Sequence, residues 1–118
     1  MSEDSLEGLR QRLARFAADR DWDQFHSPKN LSMALIAEAA ELIEHFQWLT
    51  EEQSNSLPAD KLAKIAEELA DIQIYLIRTA DKLGVDLIDA SNCKIDKNDE
   101  RFPVDKVKGQ QKRGVDYK

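Results

Sequence analysis

The run from Pro58 to Gly84 constrains the fold more than any other part of the chain. It has no internal Gly or Pro, and Leu62, Ile65, Leu69, Ile72, Leu76 and Leu83 recur along it at helical spacing. This spacing predicts a helix from about Pro58 to Leu83, with Gly84 suited to the left-handed turn that ends it. A helix this long must lay its apolar stripe against a partner. Residues from about Pro28 to Leu49 supply one, because Leu31, Leu35, Leu42, Phe46 and Leu49 share a narrow stripe at ~100° per residue. Ser27 is its expected cap and Pro28 fits its first turn.

Shorter helices are expected from about Ser5 to Asp19, where Leu6, Leu9, Leu13 and Phe16 repeat, and from about Asp86 to Lys97. "TEEQSNSLPAD" reads as a loop, and no stretch alternates with period two. The expected fold class is all-α, an antiparallel helical bundle of about four helices. Residues 1–104 are expected to form one domain and 105–118 a basic tail. Ile36, Ile43, Ile74 and Ile77 lie off the main stripes. Helices apolar on more than one side need more partners than one small chain provides, so an oligomer is expected.

A chain of 118 residues buries roughly two thirds of its unfolded surface and can fold alone. Its net charge of −6 argues against nonspecific binding to nucleic acid or an anionic membrane. The single cysteine, Cys93, allows no internal disulfide and is read as a packed thiol. With no long apolar run and no signal-peptide pattern, a cytoplasmic protein is the simplest expectation.

"EAAELIEHFQW", Glu38 to Trp48, places acids within an apolar helix. Glu38 falls inside the stripe, Glu41 on its border and Glu44 further out. On the later helix, Glu68 and Asp71 flank the stripe, with Tyr75 on the same side. Each long helix thus carries an acid pair at i,i+3, ~5–6 Å apart at Cβ. If the helices pack together, four carboxylates converge, and they repel unless a cation compensates. An all-oxygen set suits Mg²⁺ or Mn²⁺, which keep waters that a phosphate can displace. Acids at this spacing are also common on solvated faces, so spacing alone leaves both readings open. A di-iron bundle would need Glu-x-x-His on two helices, which is absent.

"WDQFHSPKNL" gathers Trp22, Asp23, Gln24, Phe25, His26, Lys29 and Asn30. These side chains could meet a base and a phosphate, or could form a staple and a cap. Trp48 could be an interface residue or a base platform, and Tyr75 a hydroxyl beside the carboxylates or plain helix surface. Lys94, Lys97 and Arg101 make a local basic group beside Asn98.

"EAAEL", a gap of 26 residues between Glu41 and Glu68, and "EELADIQIYL" resemble the E-x-x-E … E-x-x-D signature of the MazG-like all-α nucleotide pyrophosphohydrolases. "RDWDQFHSPKNL", "FQW" and "KIDKNDERFPV" resemble the branch of that family that acts on dCTP. The resemblance implies Mg²⁺-dependent hydrolysis of a nucleoside triphosphate to the monophosphate and pyrophosphate. It implies Glu38, Glu41, Glu68 and Asp71 as metal ligands and catalytic carboxylates. Trp22 to His26, Trp48, Tyr75 and Asn98 would line the nucleotide pocket, with Lys29, Lys94 and Arg101 toward the phosphates. It also implies a homotetramer, a dimer of dimers. Leu13 stands where animal members of the branch carry a His associated with the base pocket. The base is therefore left open between cytosine, a broader range and a modified base. Two other functions fit the residues: a helical interaction module without activity, and a hydrolase of another diphosphate-linked metabolite.

Overall fold

Helix α1 (Leu6–Asp19) starts where Ser5 accepts a hydrogen bond from the Gly8 N–H at 2.9 Å. It ends in a Schellman turn. Asp21 takes a left-handed φ of 53°, and the Trp22 and Asp21 N–H groups donate to the Ala17 and Ala18 carbonyls. This turn fixes where Trp22 leaves the helix. One turn of 3-10 helix, Asp23–Phe25, leads to Ser27, which caps α2 (Pro28–Glu44) through the Asn30 N–H at 3.1 Å. The Asn30 side chain donates back to the Phe25 carbonyl at 3.0 Å and ties the link to the helix it precedes.

The computed structural model describes residues 4–110. The second helix stops at Glu44, a turn short of the expected Leu49. His45 and Phe46 donate to carbonyls three residues back, which tightens the chain out of the α-helix. It must leave there because Thr50 caps a new helix, α3 (Glu51–Ser54). Thr50 and Gln53 close a reciprocal capping box that the sequence reading took for loop. Helix α4 (Ala59–Leu83) runs without a break to Gly84, whose φ of 68° ends it in the left-handed region.

Helices α2 and α4 form the main pair, with α1 packed on α4. Ala17, Leu31, Ile65, Ile77 and Ala80 are the buried apolar residues. Two expectations change here. Ile77, expected off the core, is only 3% exposed, whereas Leu62, Leu69, Leu76 and Leu83, expected in it, are largely exposed. The buried residues of α4 are Ile65, which the stripe predicted, with Ile77, Ala80 and Arg78, which it did not.

The chain divides after Val85 into two compact units. The second holds α5 (Leu87–Arg101), capped by Asp86, and the single turn α6 (Val104–Val107). Helix α5 runs a turn past the expected Lys97. It stops at Phe102, held at φ −123° and ψ 68° before Pro103, where an α conformation is disfavoured. Cys93 is exposed on this helix rather than packed. The expected tail begins inside α6, and its residues 111–118 lie outside the described residues. No strand occurs among the described residues, and none of their helices is long and apolar enough to cross a membrane.

Candidate functional site

Glu38 and Glu41 lie one turn apart on α2, and the α2–α4 pairing brings Glu68 against them. One carboxylate oxygen from each lies within 4.8 Å of the others. Glu38 and Glu68 are half-buried, and Glu41 is exposed. The Oε2 atoms of Glu38 and Glu68 are buried and have no hydrogen-bond partner among the described residues. An orphaned buried carboxylate oxygen is costly. Burial first, then the charges of Glu41, Asp71 and Glu68, push the Glu38 carboxyl up to about 7. Glu68 is raised as well, by burial first and then by Glu41 and Asp71. Asp71, one turn along α4, thus adds its charge to the cluster. His45, just past the end of α2, sets Nε2 3.8 Å from Glu68 Oε1. Orphaned acceptors in an all-oxygen donor set fit a hard divalent cation.

A cleft of about 530 Å³ opens between α1 and α4 beside this cluster, and Asp71 lines it. Leu9, Leu13 and Phe16 form its α1 wall, and Tyr75, Ile77 and Arg78 its α4 wall. Trp22 and His26 close one side. Trp22 meets Phe16 edge-on with ring centroids 5.7 Å apart, a favoured aromatic arrangement.

The sequence-derived candidates are distributed unevenly around this geometry. Trp22, His26, Asp71 and Tyr75 share the cleft, whereas Asp23, Gln24 and Phe25 do not line it. Gln24 donates to the Asp21 carbonyl and carboxylate at 3.0 Å, and Phe25 is exposed. Asp23 binds Arg78 Nη2 at 2.8 Å and Lys82 Nζ at 3.1 Å, and those bonds, Lys82 first, hold its pKa below the ordinary value. Lys29 is exposed on the first turn of α2. Trp48 lies in the turn after α2 and is 87% exposed. Lys94 and Arg101 are exposed and Asn98 half-buried on α5, in the second unit.

The sequence reading missed Arg78, which is 4% exposed. Besides Asp23 it bonds Asp81 at 3.3 Å and lies 3.2 Å from His26 Nδ1. Asp81 is held in turn by Arg10 of α1 at 3.1 Å. Spacing gave no signal for it: Ile77 and Arg78 both fall off the leucine stripe, and only the packing of α4 buries them and obliges the guanidinium to find acidic partners.

The chain is similar to known proteins in sequence and in fold. The sequence model of the MazG-like family matches residues 34–116. The cattle protein dCTP pyrophosphatase 1 is 46% identical over 92% of this chain, and the human protein of the same name is 44% identical over 86%. This chain spans 65% of the length of the cattle protein and 61% of the human one. The crystal structure of a pyrophosphatase from Archaeoglobus fulgidus superposes with a TM-score of 0.80 at 32% identity, covering 87% of this chain and 96% of that one. With its paired carboxylates on two packed helices and a family match over most of its length, the chain belongs to the MazG-like family.

Proposed function

We propose that this protein is a Mg²⁺-dependent nucleoside triphosphate pyrophosphohydrolase that splits a (d)NTP and water into the (d)NMP and pyrophosphate. The observation that carries the reading is the cluster of Glu38, Glu41 and Glu68, with two buried oxygens unpartnered, beside an aromatic-walled cleft. The similarity to proteins named dCTP pyrophosphatase 1 supports dCTP or a related deoxynucleotide as substrate and clearance of unwanted nucleotides as the role. Leu13 in the cleft wall is an apolar neighbour for the base.

Glu38, Glu41, Glu68 and Asp71 would hold Mg²⁺, with Mn²⁺ as a substitute. When bound, the cation supplies positive charge against the phosphates and makes water a better nucleophile. The carboxylates do the rest. One accepts the proton of the attacking water. The oxygen of that water bonds to phosphorus, and the bridge between the α- and β-phosphates breaks to release pyrophosphate. Such chemistry is mostly positioning and charge neutralisation. Trp22, His26, Tyr75 and Trp48 would frame the nucleoside. Lys29, with Lys94, Asn98 and Arg101 of α5, are assigned substrate contacts on the family resemblance.

A homotetramer is part of this reading. Leu62, Leu69, Leu76 and Leu83 recur every seven residues and remain exposed, as do Ile36 and Ile43 on α2. A heptad-spaced leucine row is the kind of seam that a second helix covers. A reducing cytoplasmic location fits the exposed, unbridged Cys93.

The test is a panel of canonical and modified dNTPs with pyrophosphate release as readout, run with Mg²⁺ and with chelator. Asp71→Asn should remove most turnover. Wild-type turnover by Asp71→Asn would show that the carboxylate site is wrongly placed. A helical interaction module would release no pyrophosphate and gain no thermal stability from Mg²⁺ with a non-hydrolysable dNTP.

A further inference from the structure

Arg78 lines the cleft and also touches a second residue of its wall, His26. Its Nη2 donates one hydrogen to Asp23 Oδ1 at 2.8 Å and faces His26 Nδ1 at 3.2 Å with the other. A guanidinium has five donors and no acceptor, so the Nδ1 contact is a hydrogen bond only if Nδ1 carries a lone pair. The neutral ring must then carry its proton on Nε2. His26 lines the cleft, and its contact with Arg78 is made through Nδ1. The ring also sits beside Trp22, with centroids 6.4 Å apart, so its plane is set by the same wall.

We propose that Arg78 is a positioning residue that fixes His26 as the Nε2–H tautomer, so that the cleft wall offers one oriented donor to a carbonyl or ring-nitrogen acceptor on the bound base. This proposal rests on the nucleotide reading of the cleft. The charges around His26 agree with it. Arg78 and Lys82 are positive and Asp23 negative; burial, and next Arg78, lower the ring's pKa and keep it neutral. Arg78 is itself held from two sides. Asp23 belongs to the link that carries His26, and Asp81 is anchored to α1 through Arg10. The guanidinium therefore joins α4, α1 and the aromatic link at one point. A lysine at 78 keeps the charge but loses the fork that serves Asp23, Asp81 and His26 together.

The chain has two histidines, so the ring nitrogens of His26 can be assigned by comparing the ¹⁵N spectra of wild-type protein and His26→Gln. We expect His26 to be in the Nε2–H form, titrating below the ordinary 6.5. A proton found on Nδ1 in the wild type would overturn the proposal, and this reading needs no Arg78 variant to fold. The second measurement compares KM for dCTP with KM for the same triphosphate on a deoxyribose lacking the base. His26→Gln and Arg78→Lys should each raise the first about three- to tenfold more than the second, as the loss of one neutral hydrogen bond would. The double variant should add little to either single one. An equal rise for both compounds, or additive effects, would show that Arg78 only holds the fold. If the wild type hydrolysed no nucleotide, the proposed activity would fall, while the spectrum would still decide the tautomer.

Discussion

Glu38 of α2 and Glu68 of α4 place carboxylate oxygens in one cluster within 4.8 Å, and the Oε2 of each is buried without a donor among the described residues. The packing of the two longest helices therefore forces together groups that repel.

That repulsion has a pH signature. Glu38 holds its proton up to about 7 in the folded chain, against 4.5 for the free group. Between those values the folded state binds more protons than the unfolded one, so stability falls as pH rises. In chelator, the melting temperature should drop as pH rises from about 4.5 to about 7. Mg²⁺ should reverse the drop at the upper end. A flat profile with and without Mg²⁺ would contradict the cluster geometry.

Glu38→Gln separates stability from function at this position. A neutral amide removes one buried charge, so the variant should melt higher than wild type in chelator at neutral pH. It should also lose the Mg²⁺-dependent thermal shift, because a cation ligand is gone. Calorimetry with and without Mg²⁺ reads both.

Trp48 is 87% exposed and carries little of the fold. Trp48→Ala should change stability by no more than about 0.5 kcal/mol, the usual size for surface positions. Its effect should appear in KM, large for favoured bases and small for poor ones. Equal rises across the four dNTPs would make Trp48 a packing residue.

Leu69 is 52% exposed in the middle of the heptad row on α4. Leu69→Lys should lower the oligomeric state measured by sedimentation, because a charge placed in an apolar seam is costly to bury. Leu31→Ala is the control within the chain: Leu31 is buried, and truncation should cost about 2–5 kcal/mol without a change aimed at assembly.

Much of this was legible in the sequence. Ser5, Ser27 and Gly84 mark helix ends through their own chemistry, and the Glu38/Glu41 and Glu68/Asp71 pairs can be placed from the periodicity of two helices. What could not be placed depended on neighbours. The spacing put Leu62 in the stripe and Ile77 off it, and only the packing of α4 against its neighbours decides that Ile77 is buried and Leu62 is not. Arg78 lies more than fifty residues from Asp23 and His26 in the chain and meets them only when the link between α1 and α2 packs on α4. The Thr50 box was visible as Thr-x-x-Gln, but its turn-long helix is too short to show a period.

Helix α4 also acts as a ruler. Glu68, Asp71, Tyr75 and Arg78 are carried on one unbroken helix, so the distance from the carboxylate cluster to the histidine wall is set by helical rise, ~1.5 Å per residue. The ten steps from Glu68 to Arg78 amount to ~15 Å and rotate the side chains by a fixed total. No hinge within α4 can adjust this span. A single residue inserted between Ile72 and Ile77 would turn one end by ~100° relative to the other and leave each half of the site intact but misaligned.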